Sequence, residues 1–96
     1  MGYYIQIRGN TGKAKAIAEL YNGEIVNYQA AKLAMNDPTK GVICVLYNPI
    51  MEFEAAGFCF SMAEFEEFTR PGDQRPKQFV IISREDAKRL TNYKGD

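Results

Sequence analysis

Two uninterrupted apolar runs constrain this chain most. Val42-Ile43-Cys44-Val45-Leu46-Tyr47 is rich in β-branched side chains, and Phe79 to Ile82, inside a strand expected over Lys77 to Ile82, repeats the pattern. A strand with one wet face alternates apolar and polar residues, so an unbroken run of this kind has both faces covered. The runs therefore predict two central strands of a sheet with helices packed on it. A chain of 96 residues supports one such core and no second. No linker, repeat or low-complexity tract divides it, so residues 1–96 are read as a single domain.

The flanking patterns fill in the rest. Tyr3 to Arg8 alternates as a half-buried strand does, with Tyr3, Ile5 and Ile7 on one face. Gly9-Asn10-Thr11-Gly12 breaks it, and Thr11 is the expected N-cap of the next helix. That helix runs Lys13 to Tyr21, with Ala14, Ile17, Ala18 and Tyr21 in one stripe. Asn22-Gly23 ends it, and Glu24 to Tyr28 is a short strand. If the first and second strands pair in parallel, their crossover is right-handed. Gln29 to Met35 reads as a short helix, ended by Asn36-Asp37-Pro38. Ile50 to Ala56 is ambiguous between a helical turn and an irregular loop, and Phe58 to Phe60 reads as a short strand. Ser61 and Glu64 form a capping box for a helix carrying Met62, Phe65 and Phe68. Ser83 and Asp86 start a last helix that ends near Leu90. The expected class is α+β: a compact, single-layer mixed sheet of four or five strands packed with three or four short helices, in the order βαβαββαβα.

Function is constrained mainly by exclusion. The chain has no histidine, which removes the commonest general base and metal ligand. Two cysteines do not make a zinc site, and no cofactor loop is present, so no cofactor, metal or catalytic residue is expected. Cys44 and Cys59, each between apolar neighbours, read as free core thiols. With neither a signal-peptide pattern nor a long apolar segment, a cytoplasmic, membrane-free protein is expected. Net charge is zero, so a nucleic-acid partner is not favoured by the charge of the whole chain.

Three local patterns remain. Arg8, Gly9, Asn10, Thr11, Gly12 and Lys13 join a strand end to a helix start, where backbone donors and the helix dipole suit a phosphate or nucleotide. The spacing is not that of a phosphate-binding loop, because only Asn10 and Thr11 separate Gly9 from Gly12-Lys13 and Ala14 follows the lysine. The plain reading is a glycine-softened turn. The second pattern runs from Met51 to Thr69, which holds five glutamates, five of the six phenylalanines and no basic residue. Glu52, Phe53, Glu54, Glu64, Glu66 and Glu67 are its candidate protein-interaction residues, with Phe53 the aromatic expected to be most exposed. The competing reading is a solvated helix face over an ordinary aromatic core. The third pattern is the basic set Arg70, Arg75, Lys77, Arg84, Lys88, Arg89 and Lys94, which with Tyr4 and Tyr93 suggests a weak single-stranded nucleic-acid binder or, more plainly, a solubilising surface.

The leading expectation is a non-catalytic module that binds a larger protein through the acidic Phe/Glu segment. Size and simplicity suggest a phage or mobile-element accessory protein that inhibits host or defence machinery. A small-anion binder is the alternative, and a nucleic-acid binder the third reading.

Overall fold

A computed structural model describes the backbone of residues 3–8, 12–50 and 53–92, and the side chains of residues 12–50 and 54–92. In chain order the elements are β1 (Tyr3–Arg8), α1 (Lys13–Leu20), β2 (Glu24–Val26), α2 (Tyr28–Ala34), β3 (Lys40–Asn48), β4 (Phe53–Cys59), α3 (Met62–Phe68), β5 (Lys77–Ser83) and α4 (Arg84–Thr91). The class is α+β, as expected. The strands form one sheet in the order β1-β4-β3-β5-β2.

The sheet is not mixed. Every ladder is antiparallel: β1 with β4, β4 with β3, β3 with β5 and β5 with β2. The first two strands, read from sequence as a tight strand–helix–strand unit, stand at opposite edges and never pair. Local spacing identified the elements, but pairing is set by which strands bury the most apolar surface. The two apolar runs became β3 and β5, and they took adjacent places inside the sheet.

Alternation along those strands feeds two separate cores. Ile43, Val45, Val80 and Ile82 point to one face and meet Ala14 and Ala18 of α1 and Ala87 of α4. Val42, Cys44, Leu46, Phe79 and Ile81 point to the other and meet Ala31 and Ala34 of α2 and Phe65 of α3. Both faces of β3 and β5 are thus dry, which explains their unbroken apolar sequence. The result is three layers, with α1 and α4 on one face and α2 and α3 on the other.

The strand order dictates this division of helices. Strand directions alternate across the sheet, so β1, β3 and β2 run one way and β4 and β5 the other. The β2–α2–β3 and β4–α3–β5 connections run in opposite directions and cross the sheet in opposite senses. On a common face they therefore have the same hand. The β1–α1–β2 connection crosses the other way with its strands unreversed, and it keeps that hand only on the opposite face. A uniform preference for one crossover hand places all three helices where they are found.

Of the ambiguous stretch Ile50 to Ala56, Ile50 lies in a turn, and Met51 and Glu52 lie outside the described residues. Phe53 to Ala56 join Phe58-Cys59 of the expected short strand in one strand, β4, between β1 and β3. Ala55-Ala56-Gly57 has poor strand propensity, which hid it. The small residues serve packing: a Cβ on Gly57 would lie 2.6 Å from the Phe68 ring of α3. Tertiary fit overrode propensity there.

Candidate functional site

Of the expected anion-binding turn, Gly9, Asn10 and Thr11 lie outside the described residues, and Arg8 is described only as backbone opposite Phe53. The N-cap of α1 is Gly12 at φ 100°, a left-handed conformation that glycine adopts without strain, and it offers no side-chain cap. Thr11 is therefore not the N-cap. The first turn of α1 holds no acidic residue, and Lys13 and Lys15 add positive charge to the positive end of the helix.

A carboxylate from elsewhere answers that charge. The Lys13 backbone N–H donates to Glu54 Oε1 at 3.1 Å. Glu54 is 3% exposed, the only charged side chain buried among the described residues. Alternation along β4 explains its position: Ala56 and Phe58 belong to the core beneath α1 and α4, and Glu54 continues their row. Glu54 was expected on an outward acidic surface. That expectation is corrected, because the strand turns its side chain inward to the start of α1. The signal was the i, i+2 row Phe58, Ala56, Glu54, legible only once the segment is known to be a strand.

The remaining glutamates divide again. In α3, Ser61 is the N-cap, and its hydroxyl accepts the Glu64 N–H at 3.2 Å. Glu64 Oε1 accepts the Phe60 N–H at 2.9 Å, closing the box on the amide one residue before the cap. Glu64 therefore has a structural task. Glu66 and Glu67 are exposed on the outer side of the helix. Glu52 and the side chain of Phe53 lie outside the described residues. Phe58, Phe60 and Phe65 are core residues, and Phe68 is half-buried over Gly57. Among the described residues the exposed aromatic is Tyr28, expected from the sequence at the end of a strand. It opens α2, is 44% exposed, stacks on Phe65 at 5.6 Å and meets Phe79 edge-on at 6.0 Å.

Within the described part of the basic set, several side chains are tied to partners of this chain. Arg75 and Lys77 close on Asp73 at 2.5 and 4.0 Å, and the Arg75 hydrogen bond holds the Asp73 carboxyl well below the usual range. Arg89 pairs with Asp86 and Glu85. The Arg84 guanidinium lies 5.3 Å over the Phe60 ring and donates to the Phe60 carbonyl at 3.4 Å. Three shallow hollows of about 360, 420 and 460 Å³ run past Lys40, Arg84 and Lys88 at this end of the sheet. Their polar rim is used internally: Asp37 accepts from Thr39 N and Oγ1, and Ser83 Oγ accepts from Asp86 N. Lys94 and Tyr93 lie outside the described residues, as does the Tyr4 side chain.

Cys44 and Cys59 are free and buried. Burial pushes the Cys44 thiol up to about 12 and raises that of Cys59 as well, so neither is a nucleophile near neutral pH. Among the described residues, no group of three or more His, Cys, Asp or Glu is placed to hold a metal ion. Nor is any helix long and apolar enough to cross a membrane. Compared with known proteins, the chain matches no family model, no curated protein and no solved structure.

Proposed function

We propose that this chain is a non-catalytic protein-interaction module that engages a basic, partly apolar surface of a larger protein through the outer side of its α2–α3 layer. One observation carries the reading. Of the glutamates described in the acidic segment, Glu54 and Glu64 are used to hold helices, whereas Glu66 and Glu67 are exposed on α3. Beside this helix, Tyr28 presents a half-exposed ring fixed by its stacking on Phe65. Acidic side chains steer a basic partner and set its orientation. A rigid aromatic ring supplies contact area at little entropic cost. The setting we propose is an accessory protein of a phage or mobile element, acting by binding and inhibiting host or defence machinery.

The small-anion alternative is weakened by Glu54, which already accepts the Lys13 amide that a phosphate would need. The nucleic-acid alternative is weakened by the acidic partners of Arg75, Lys77 and Arg89.

The test is the double reversal Glu66→Lys with Glu67→Lys, leaving Glu64 in place because it caps α3. The expected outcome is an unchanged circular dichroism spectrum and loss of a partner captured from host lysate by the wild-type chain. Capture that survives the reversal with the same partner would remove α3 as the binding surface.

A further inference from the structure

We propose that Asn22 is a site of spontaneous deamidation, and that the fold sets its rate through the backbone amide of Gly23. The reaction needs no enzyme. Once the Gly23 nitrogen loses its proton, it attacks the side-chain carbonyl carbon of Asn22. A ring nitrogen–carbon bond forms, the side-chain amide bond breaks and ammonia leaves. Water then opens the cyclic imide on either side, leaving an aspartate or an isoaspartate. The net change converts an amide and water to a carboxylate and ammonium. A bulky following residue hinders ring closure, and a following proline has no N–H to lose. Asn22 is the only asparagine in the chain that precedes a glycine.

The tertiary structure imposes this pair of residues. Asn22 is exposed and takes the left-handed conformation that ends α1, which asparagine tolerates better than most residues with a side chain. Gly23 is required by packing. A Cβ there would lie 2.3 Å from the Ile81 carbonyl oxygen and 2.7 Å from Ile82 Cγ2. The carbonyl belongs to the backbone of β5 and cannot swing aside as a side chain would. A helix stop that suits asparagine is thus followed by a position that only glycine fills.

The same turn restrains the reaction. The Gly23 N–H donates to the Ala18 carbonyl at 2.7 Å, closing the end of α1 across the left-handed residue. While that bond is made, the proton that must leave is held. Base-catalysed hydrogen exchange of the Gly23 amide removes the same proton, so exchange and deamidation share one opening of the helix end. The product then acts on the next strand. Isoaspartate puts one extra methylene into the main chain just before β2, a strand of three residues set Glu24 against Ile81, Ile25 against Val80 and Val26 against Phe79. It also adds a carboxylate at the negative end of α1, two residues before Glu24. Both changes loosen β2 from β5.

The test ages the full wild-type chain in mildly alkaline buffer, folded and in urea, and reads each asparagine by peptide mass spectrometry. In urea, position 22 is expected to gain one mass unit ahead of every other asparagine. In the folded chain its conversion is expected to be at least tenfold slower, in step with the protection of the Gly23 amide from hydrogen exchange. Leu20→Gly changes an exposed side chain in the last turn of α1. Whatever factor it brings to exchange at Gly23, conversion at position 22 is expected to change by the same factor. Asn22→Gly keeps the left-handed turn without the side-chain amide. It is expected to match the wild-type circular dichroism and to hold its melting temperature on ageing while that of the wild type falls. Earlier conversion of another asparagine in urea overturns the proposal. So does conversion equally fast folded and in urea, a Leu20→Gly chain in which exchange and conversion part company, or an Asn22→Gly chain that loses melting temperature on ageing as the wild type does.

Discussion

The start of α1 is held by a carboxylate 41 residues away in sequence, whereas the start of α3 is held by a hydroxyl and a carboxylate from its own first turn and cap. Both arrangements answer the same need, because the first N–H groups of a helix have no partner within it. They differ in what must form first. The box at Ser61 and Glu64 needs only one turn of chain. The contact at Lys13 needs β4 to be paired and α1 already laid across it. The local device stabilises one helix, and the distant one also ties a helix to the sheet.

That contrast is broken most sharply at Glu54. Glu54→Ala is expected to lower stability by about 1.5–3 kcal/mol, the range for a hydrogen bond to a charged group. Chemical denaturation measures it, and a loss no larger than that at a surface glutamate would show that the contact is incidental. Next comes Ser61→Ala, expected to cost about 1 kcal/mol, or roughly 4–8 °C in melting temperature. Its effect should stay within α3, visible as faster amide exchange there and nowhere else. Glu64→Gln should cost under about 0.5 kcal/mol, since the amide oxygen still accepts the Phe60 N–H. A larger loss would mean that charge, not the hydrogen bond, does the capping.

The smallest effect is expected at α4, which starts on a local device like that of α3. Its Asp86 carboxyl is held below the usual range by the Arg89 hydrogen bond and then by that of Ser83. A carboxyl depressed in the folded state contributes stability above its unfolded pKa and loses it as pH falls through the folded value. Melting temperatures of wild type and Asp86→Asn should therefore differ slightly at neutral pH and converge in acid, below the ordinary aspartate value of about 3.9. A difference that persists at low pH would assign the effect to packing instead.

The same division between local and distant separates what could be read in the chain from what could not. The two dry strands, the capping box of α3, the Ser83 cap of α4 and the Asn22-Gly23 stop were legible because each is written within a few residues. Asn22 indeed takes the left-handed conformation, at φ 55°. The cap of α2 is also local, Asn27 Oδ1 accepting the Ala30 N–H at 2.8 Å, but a strand read on to Tyr28 concealed it. β4 was missed because Ala55, Ala56 and Gly57 have poor strand propensity, and Gly57 is small to admit the Phe68 ring of α3. Of the candidate site, Glu66 and Glu67 kept their expected exposure, while Glu54 was misplaced because its facing depends on a strand that propensity denies.

The sequence by itself determined that this chain forms an α+β core with two strands covered on both faces, since burial leaves its mark as unbroken apolar runs. It also determined that histidine chemistry is absent. Only the tertiary structure decided that the sheet is antiparallel throughout and that Glu54 turns inward while Glu66 and Glu67 face water. Each of those outcomes depends on which distant segments become neighbours. Pairing energies are set by the summed fit of whole elements, and no short window of sequence contains that sum.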